Sequence, residues 1–191
     1  MIEIDYNEIL AQYEQPKYFR NISDPGVNEA RAVWFDKYMK LSQGSAILEL
    51  GAGRFTLTRE WRRLGYQAWG IDWSMFGCAH DPDMAVRAMV QRLPFKDKSF
   101  DAVTAFDILE HIPPEDIAVA LADIERIAKT WLLCNIPLEG PDPADHHHLS
   151  KGDRAFWENA LKVNFDLVGY NPPNTPGFND NSTIFVVRAR N

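Results

Sequence analysis

In the stretch ILELGAGRFTLT, residues 47–58, an apolar run carries a carboxylate, Glu49, and two glycines follow closely, Gly51 and Gly53. The next residues, Thr56-Leu57-Thr58-Arg59-Glu60-Trp61, read as the start of a helix. A strand that enters a glycine turn and leaves as a helix can bring its backbone close to a ligand. Glycine has no Cβ and tolerates positive φ. A tight strand-to-helix turn with no ligand would use the same residues. A second carboxylate separates the two readings. WGIDWS ends a further strand on Asp72, about 20 residues past the glycine turn, where a carboxylate can grip the hydroxyls of a ribose. A helix cap is the alternative role for Asp72.

A ribose beside a glycine turn fits the adenosine of a nicotinamide dinucleotide or of S-adenosylmethionine. The dinucleotide pattern G-x-G-x-x-G is broken here, because Thr56 holds its third place in GAGRFT. A pyrophosphate also favours a turn free of negative charge, whereas Glu49 stands just before this one. A sulfonium joined to an amino-acid end carries positive charge and favours a neighbouring carboxylate. Glu49 therefore favours S-adenosylmethionine.

These carboxylates need a scaffold, and the chain spells one out. The first forty residues read as mostly helical, with Val33, Trp34, Phe35, Tyr38 and Met39 at helical spacing. Strands are expected at 46–50, 67–72, 84–90, 100–106, 131–136, 165–170 and 183–188. Helices are expected at 54–65, at 114–128 with Ile117, Leu121, Ile124 and Ile127 on one stripe, and at 150–162 capped by Ser150. Alternating strand and helix implies a doubly wound parallel α/β sheet. The last two strands have no helix between them and must pair antiparallel as a hairpin.

Composition sets outer bounds. The 191 residues, 46% apolar and 25% charged, suit one soluble globular domain with a real core. A single domain, 1–191, is expected, with 1–42 as a helical cap or lid and 43–191 as the core. No apolar run approaches the roughly 20 residues of a membrane span. The acidic, polar start is not that of a signal peptide, and two cysteines make no disulfide framework. A cytoplasmic location is expected. The net charge of −7, with no long basic run, disfavours a nucleic-acid partner.

ILELGAGRFT resembles the first motif of class I S-adenosylmethionine-dependent methyltransferases, and GIDWS resembles their second. LPFKDKSFDAVTAFDILEHI, residues 93–112, is similar to the L-P-F-x-D-x-S-F-D…L-E-H stretch of their small-molecule, type 11-like branch. The resemblance covers residues 46–137 in order. It implies a Rossmann-like seven-stranded sheet in the order 3-2-1-4-5-7-6 with the last strand antiparallel. It implies S-adenosylmethionine as cofactor. Gly51, Ala52 and Gly53 would wrap the cofactor's amino-acid end, Glu49 would organise that turn, and Asp72, with Trp73 beside it, would bind the ribose. Gln91, Arg92 and Leu93 would lie on the adenine side, and Phe106 and Asp107 would face the methionine portion. There are two departures. Met89 stands where family members often have an acid near the adenine amine, and Trp73 to Met84 leaves room only for a short helix.

Methyl transfer asks the protein to hold donor and acceptor in line and to handle a proton. DHHHLSKGDRAFW, residues 145–157, resembles a D-x-x-H…R-x-[WF]-W segment of some bacterial and phage members. It makes His148 the candidate base and Asp145 its partner at the acceptor. A polar loop that only caps the next helix is the alternative. His111 of LEHI matches the family motif and takes a catalytic or positioning role. Tyr18 and Phe19 are lid candidates at the acceptor. Three consecutive histidines rarely converge on one ion, so no metal is expected. The reading is transfer of a methyl group to an oxygen or nitrogen of a small molecule such as a sugar or quinone. A nucleic-acid methyltransferase and a non-catalytic S-adenosylmethionine-binding module are the alternatives. The N/D-P-P-Y/F tetrad of amino-methylating nucleic-acid enzymes is absent after the fourth strand, where the chain reads FDIL.

Overall fold

The computed structural model describes residues 7, 10, 11, 14, 15, 25–79, 81–138, 147–170 and 182–190. Helix α1 spans Pro25–Met39, and β1 Ala46–Leu50 leads through the glycine turn into α2, Thr56–Arg63. Then follow β2 Gln67–Asp72, a one-turn α3 Met75–Cys78, β3 Ala85–Arg87 and β4 Phe100–Phe106. Two 3₁₀ turns, Leu109–His111 and Pro114–Asp116, precede α4 Ile117–Ile127. Strand β5 Ala128–Pro137, helix α5 Arg154–Asn164, β6 Phe165–Tyr170 and β7 Ser182–Ala189 complete the order.

The seven strands form one sheet in the order β3-β2-β1-β4-β5-β7-β6, as the resemblance implied. Strands β1 to β5 pair parallel with their neighbours, while β7 runs antiparallel to both β5 and β6. Parallel strands need a crossover long enough to traverse a sheet face. The β6–β7 link carries no described helix, so β7 returns beside β6.

Both faces are covered, which is why the central strands read as apolar runs without alternation. On one face α1 and α2 pack through Ala32, Phe35, Leu57 and Trp61 onto Ile47, Ala68, Leu133 and Val186. On the other, α4 and α5 pack through Leu121, Ile124, Trp157 and Leu161 onto Leu48, Val103, Leu132 and Phe185. Trp61 and Trp157 are fully buried. At about 25 cal/mol per Å² and roughly 150–250 Å² per ring, each contributes on the order of 4–6 kcal/mol before its ordering entropy.

Several expected boundaries shift. The 114–128 segment begins as a 3₁₀ turn and becomes α-helical only at Ile117; its stripe Ile117, Leu121, Ile124 and Ile127 is buried as expected. Val33 is half exposed, so the buried face of α1 runs through Ala32 and Phe35 instead. The third strand shrinks to three residues. Ser150 does not cap α5. Asp153 does, its carboxylate accepting the Phe156 N–H at 2.8 Å. Ser150 is engaged elsewhere, its hydroxyl donating to the Ile112 carbonyl at 2.6 Å and its N–H to the Glu110 carbonyl at 2.9 Å.

Candidate active site

At the carboxyl ends of β1, β2 and β4 lies a cavity of about 510 Å³, within the usual range for a small-molecule site. Its floor is the glycine turn. Gly51 and Gly53 both take positive φ, 66° and 55°. A Cβ on Gly51 would stand 1.8 Å from Ile108 Cδ1, so the turn and the post-β4 segment meet without room for a side chain. Gly70 in β2 has the same function lower down, since a Cβ there would meet Ala52 and Phe55 at 2.6 Å.

Glu49 lines the cavity and is 8% exposed. The Thr58 hydroxyl of α2 donates to its carboxylate. Burial pushes the Glu49 carboxyl up to about 7, and the Thr58 hydrogen bond and the Arg31 charge only partly oppose this. A group in that state gains from a cation set beside it. Asp72, at the end of β2, accepts the Gly53 N–H and the Ser74 N–H, each at 2.8 Å, one on each oxygen. Each oxygen keeps a further acceptor position. Burial raises its pKa, while the two N–H groups pull it down. Asp72 is therefore a brace of the glycine turn as well as a cavity residue.

Trp73, Gln91, Phe106 and Asp107 also line the cavity, with Gln91 in the run Ala88 to Gln91 that forms one wall. The Arg87 guanidinium covers the Trp73 ring at 4.6 Å and pairs with Glu14 at 3.0 Å. Gln91 donates to Asp116 at 3.3 Å. Asp107, in the left-handed region at φ 55°, accepts from Arg31 at 3.2 Å and from the Asn135 amide at 2.6 Å. Phe106 stacks on Phe35 at 4.9 Å. Arg92 and Leu93 are not brought to the cavity. The Arg92 side chain is exposed, and Leu93 is buried in the core with its N–H donated to Asp123.

His111, in the turn after β4, and His148, between β5 and α5, line the same cavity. Their ring centroids are 4.9 Å apart at 64°. The His111 Nδ1–H donates to the His147 carbonyl at 2.9 Å, which makes Nε2 the acceptor nitrogen of the ring. Burial lowers the His111 pKa to about 4, so the ring is neutral at ordinary pH. Glu110 is buried beside it, its Oε1 4.0 Å from His111 Nε2. Tyr18, Phe19 and Asp145 lie outside the described residues.

Sequence reasoning missed Asn28 and Arg31, which α1 presents to the cavity. Their spacing of three puts both on one helix face, the only available signal. It also missed Ile108 and the backbone of His147, which act through position rather than residue type.

Residues 48–131 match the family described as Methyltransferase domain. Among solved structures, a protein of Pyrococcus horikoshii OT3 is 15% identical, with 92% of this chain and 100% of that one covered and a TM-score of 0.76. The Burkholderia thailandensis 1,6-didemethyltoxoflavin-N1-methyltransferase, with bound 1,6-didemethyltoxoflavin and S-adenosylhomocysteine, is 15% identical over 97% of this chain and 87% of its own, with a TM-score of 0.73. Magnesium protoporphyrin IX methyltransferase of Synechocystis PCC 6803, with bound S-adenosylhomocysteine, is 13% identical over 97% and 100%, with a TM-score of 0.76. At such identities the likeness establishes the fold alone. No curated protein sequence matches the chain. Among the described residues no helix is long and apolar enough to cross a membrane.

Proposed function

We propose that the chain is a class I S-adenosylmethionine-dependent methyltransferase that passes the methyl group to an oxygen or nitrogen of a small molecule held beside His111 and His148. The observation that carries this is one cavity lined by Glu49, Gly51, Ala52, Gly53 and Asp72 at the ends of β1 and β2 and by both histidines after β4 and β5. The donor set fits the cofactor. Glu49 suits positive charge, Asp72 has acceptor positions left for a diol, and Gln91 supplies an amide on the adenine side. Bound there, S-adenosylmethionine supplies a methyl carbon already activated by its sulfonium.

The chain's own contribution is positioning and proton handling. The glycine turn and Asp72 fix one end of the reacting pair. Phe106, stacked on Phe35, and Asp107, held by Arg31 and Asn135, line the cavity at the end of β4. His111 is too weakly basic to serve as the proton acceptor at neutral pH, because burial lowers its pKa to about 4. It orients the acceptor through Nε2, and His148 handles the acceptor's proton. The cavity of about 510 Å³, the charge of −7 and the 1,6-didemethyltoxoflavin seen in a structurally similar enzyme support a small acceptor over a polymer.

Calorimetric titration with S-adenosylmethionine and S-adenosylhomocysteine tests the cofactor end. A methyl-donor assay over hydroxyl and amine acceptors, with product mass, tests the other. With the true acceptor, His148→Ala is expected to lower turnover about 10²–10⁴-fold at unchanged cofactor affinity. Full turnover in that variant would leave the loop a structural role only.

A further inference from the structure

We propose that Glu110, His111 and His148 form a binding site for one divalent transition-metal ion at the acceptor end of the cavity. One oxygen of Glu110 and one ring nitrogen from each histidine lie within 4.8 Å of one another. The Glu110–His111 pair is 4.0 Å apart. Ligand atoms around a tetrahedral ion with bonds of about 2.0–2.1 Å stand roughly 3.3 Å apart. Side-chain adjustments of about 1 Å therefore close the triad on an ion, and such adjustments lie within ordinary rotamer freedom.

The supporting hydrogen bonds are already made. The His147 carbonyl takes the His111 Nδ1–H at 2.9 Å, so Nε2, 4.0 Å from Glu110 Oε1, is the ring nitrogen that would ligate. A backbone carbonyl on the second ring nitrogen is the usual support of a metal-ligating histidine. The two segments that supply ligands are also tied together. Ser150, two residues after His148, donates its N–H to the Glu110 carbonyl and its hydroxyl to the Ile112 carbonyl, at 2.9 and 2.6 Å. The β5–α5 loop is thus pinned to the turn at Leu109–His111, and the geometry does not depend on three consecutive histidines converging.

Two imidazoles and a carboxylate are the donors of a catalytic zinc site or of a ferrous site with open positions. His111 and His148 line the cavity while Glu110 lies behind them, so the open positions face the acceptor. A hydroxyl entering there would give up its proton to solvent at lower pH than a free one. His111 Nε2 would then orient the acceptor, and His148 handle the proton, as ligands of the ion rather than by direct contact or proton uptake. This consequence rests on the acceptor reading above; ion binding itself does not.

The test uses the full chain, freed of metal with a chelator and titrated with Zn²⁺ and with Co²⁺ against a chromophoric competitor. The expected result is one ion per chain, with the visible absorption of four- or five-coordinate Co²⁺. His111→Ala and Glu110→Gln should each weaken binding by at least about 100-fold, the upper end of what losing a supporting group costs. His147→Ala should retain the ion, since only its carbonyl is used. Circular dichroism confirms that each variant folds, and His111→Gln replaces any that does not. No saturable binding overturns the proposal. So does binding that survives loss of His111, which would place the ion on the histidine run 146–148 instead. Titration of the same samples with S-adenosylhomocysteine keeps this outcome separate from a failure of the methyltransferase reading.

Discussion

At the scale of single residues, the two acidic groups by the glycine turn differ in kind. Glu49 is held against its own ionisation. Burial raises it from 4.5 to about 7, so its protonated form favours the folded state. That contribution is complete below about pH 4.5 and is lost as pH rises through about 7, to the extent of about 3 kcal/mol. Thermal melts of the ligand-free protein and of Glu49→Gln should therefore diverge, with the variant losing less stability between about pH 5 and pH 8. A cation bound beside Glu49 should drive its proton off. Calorimetry with S-adenosylmethionine at about pH 6 should then show a buffer-dependent enthalpy that Glu49→Gln abolishes. A buffer-independent enthalpy in the wild type would remove Glu49 from the charged end of the site. Asp72 accepts two backbone N–H groups, so its truncation acts on the turn and the ligand together.

At the scale of elements, the site is a set of ends: the end of β1, the start of α2, the end of β2 and the two turns after β4. What makes them meet is the absence of side chains. Gly51→Ala places a residue with Cβ at φ 66°, which costs about 1–2 kcal/mol, and drives its methyl into Ile108, a cavity residue. The melting temperature should fall by about 2–8 °C. Affinity for S-adenosylhomocysteine should fall at least about tenfold, because Ile108 must turn toward the bound ligand. Unchanged affinity in a folded variant would mean that the turn does not touch the cofactor. The one-turn α3 has an added support. Glu14 accepts the Met75 N–H at 3.0 Å and pairs with Arg87, which in turn covers Trp73.

At the scale of the whole molecule, charge and shape point the same way. A net charge of −7 gives no general attraction for phosphate backbones. Anisotropy with labelled single- and double-stranded oligonucleotides should show no binding at about 0.15 M salt, and no steep rise as salt is lowered. Saturable binding with a strong salt slope would revive the nucleic-acid alternative.

The alternation of strands and helices, the glycine turn and the positions of Glu49 and Asp72 were legible in the sequence, because they depend on local periodicity and on short-range spacing, while the order of the sheet was legible only through the family resemblance. Strand runs, the glycine pair and the acid about 20 residues on all lie within one strand–helix–strand unit. The boundaries of α5 were not legible. Ser150 and Asp153 are both good caps in sequence, and Ser150 lost that role to contacts with Glu110 and Ile112 that lie some forty positions away. The same holds for Arg92 and Leu93, which share a motif with Gln91 yet turn outward or into the core. Arg31 beside Asp107, and Glu110 and His111 beside His148, were likewise decided only by the tertiary structure. Long-range pairs leave no periodic trace along the chain. Packing remote segments together at the carboxyl ends of the central strands is what creates them.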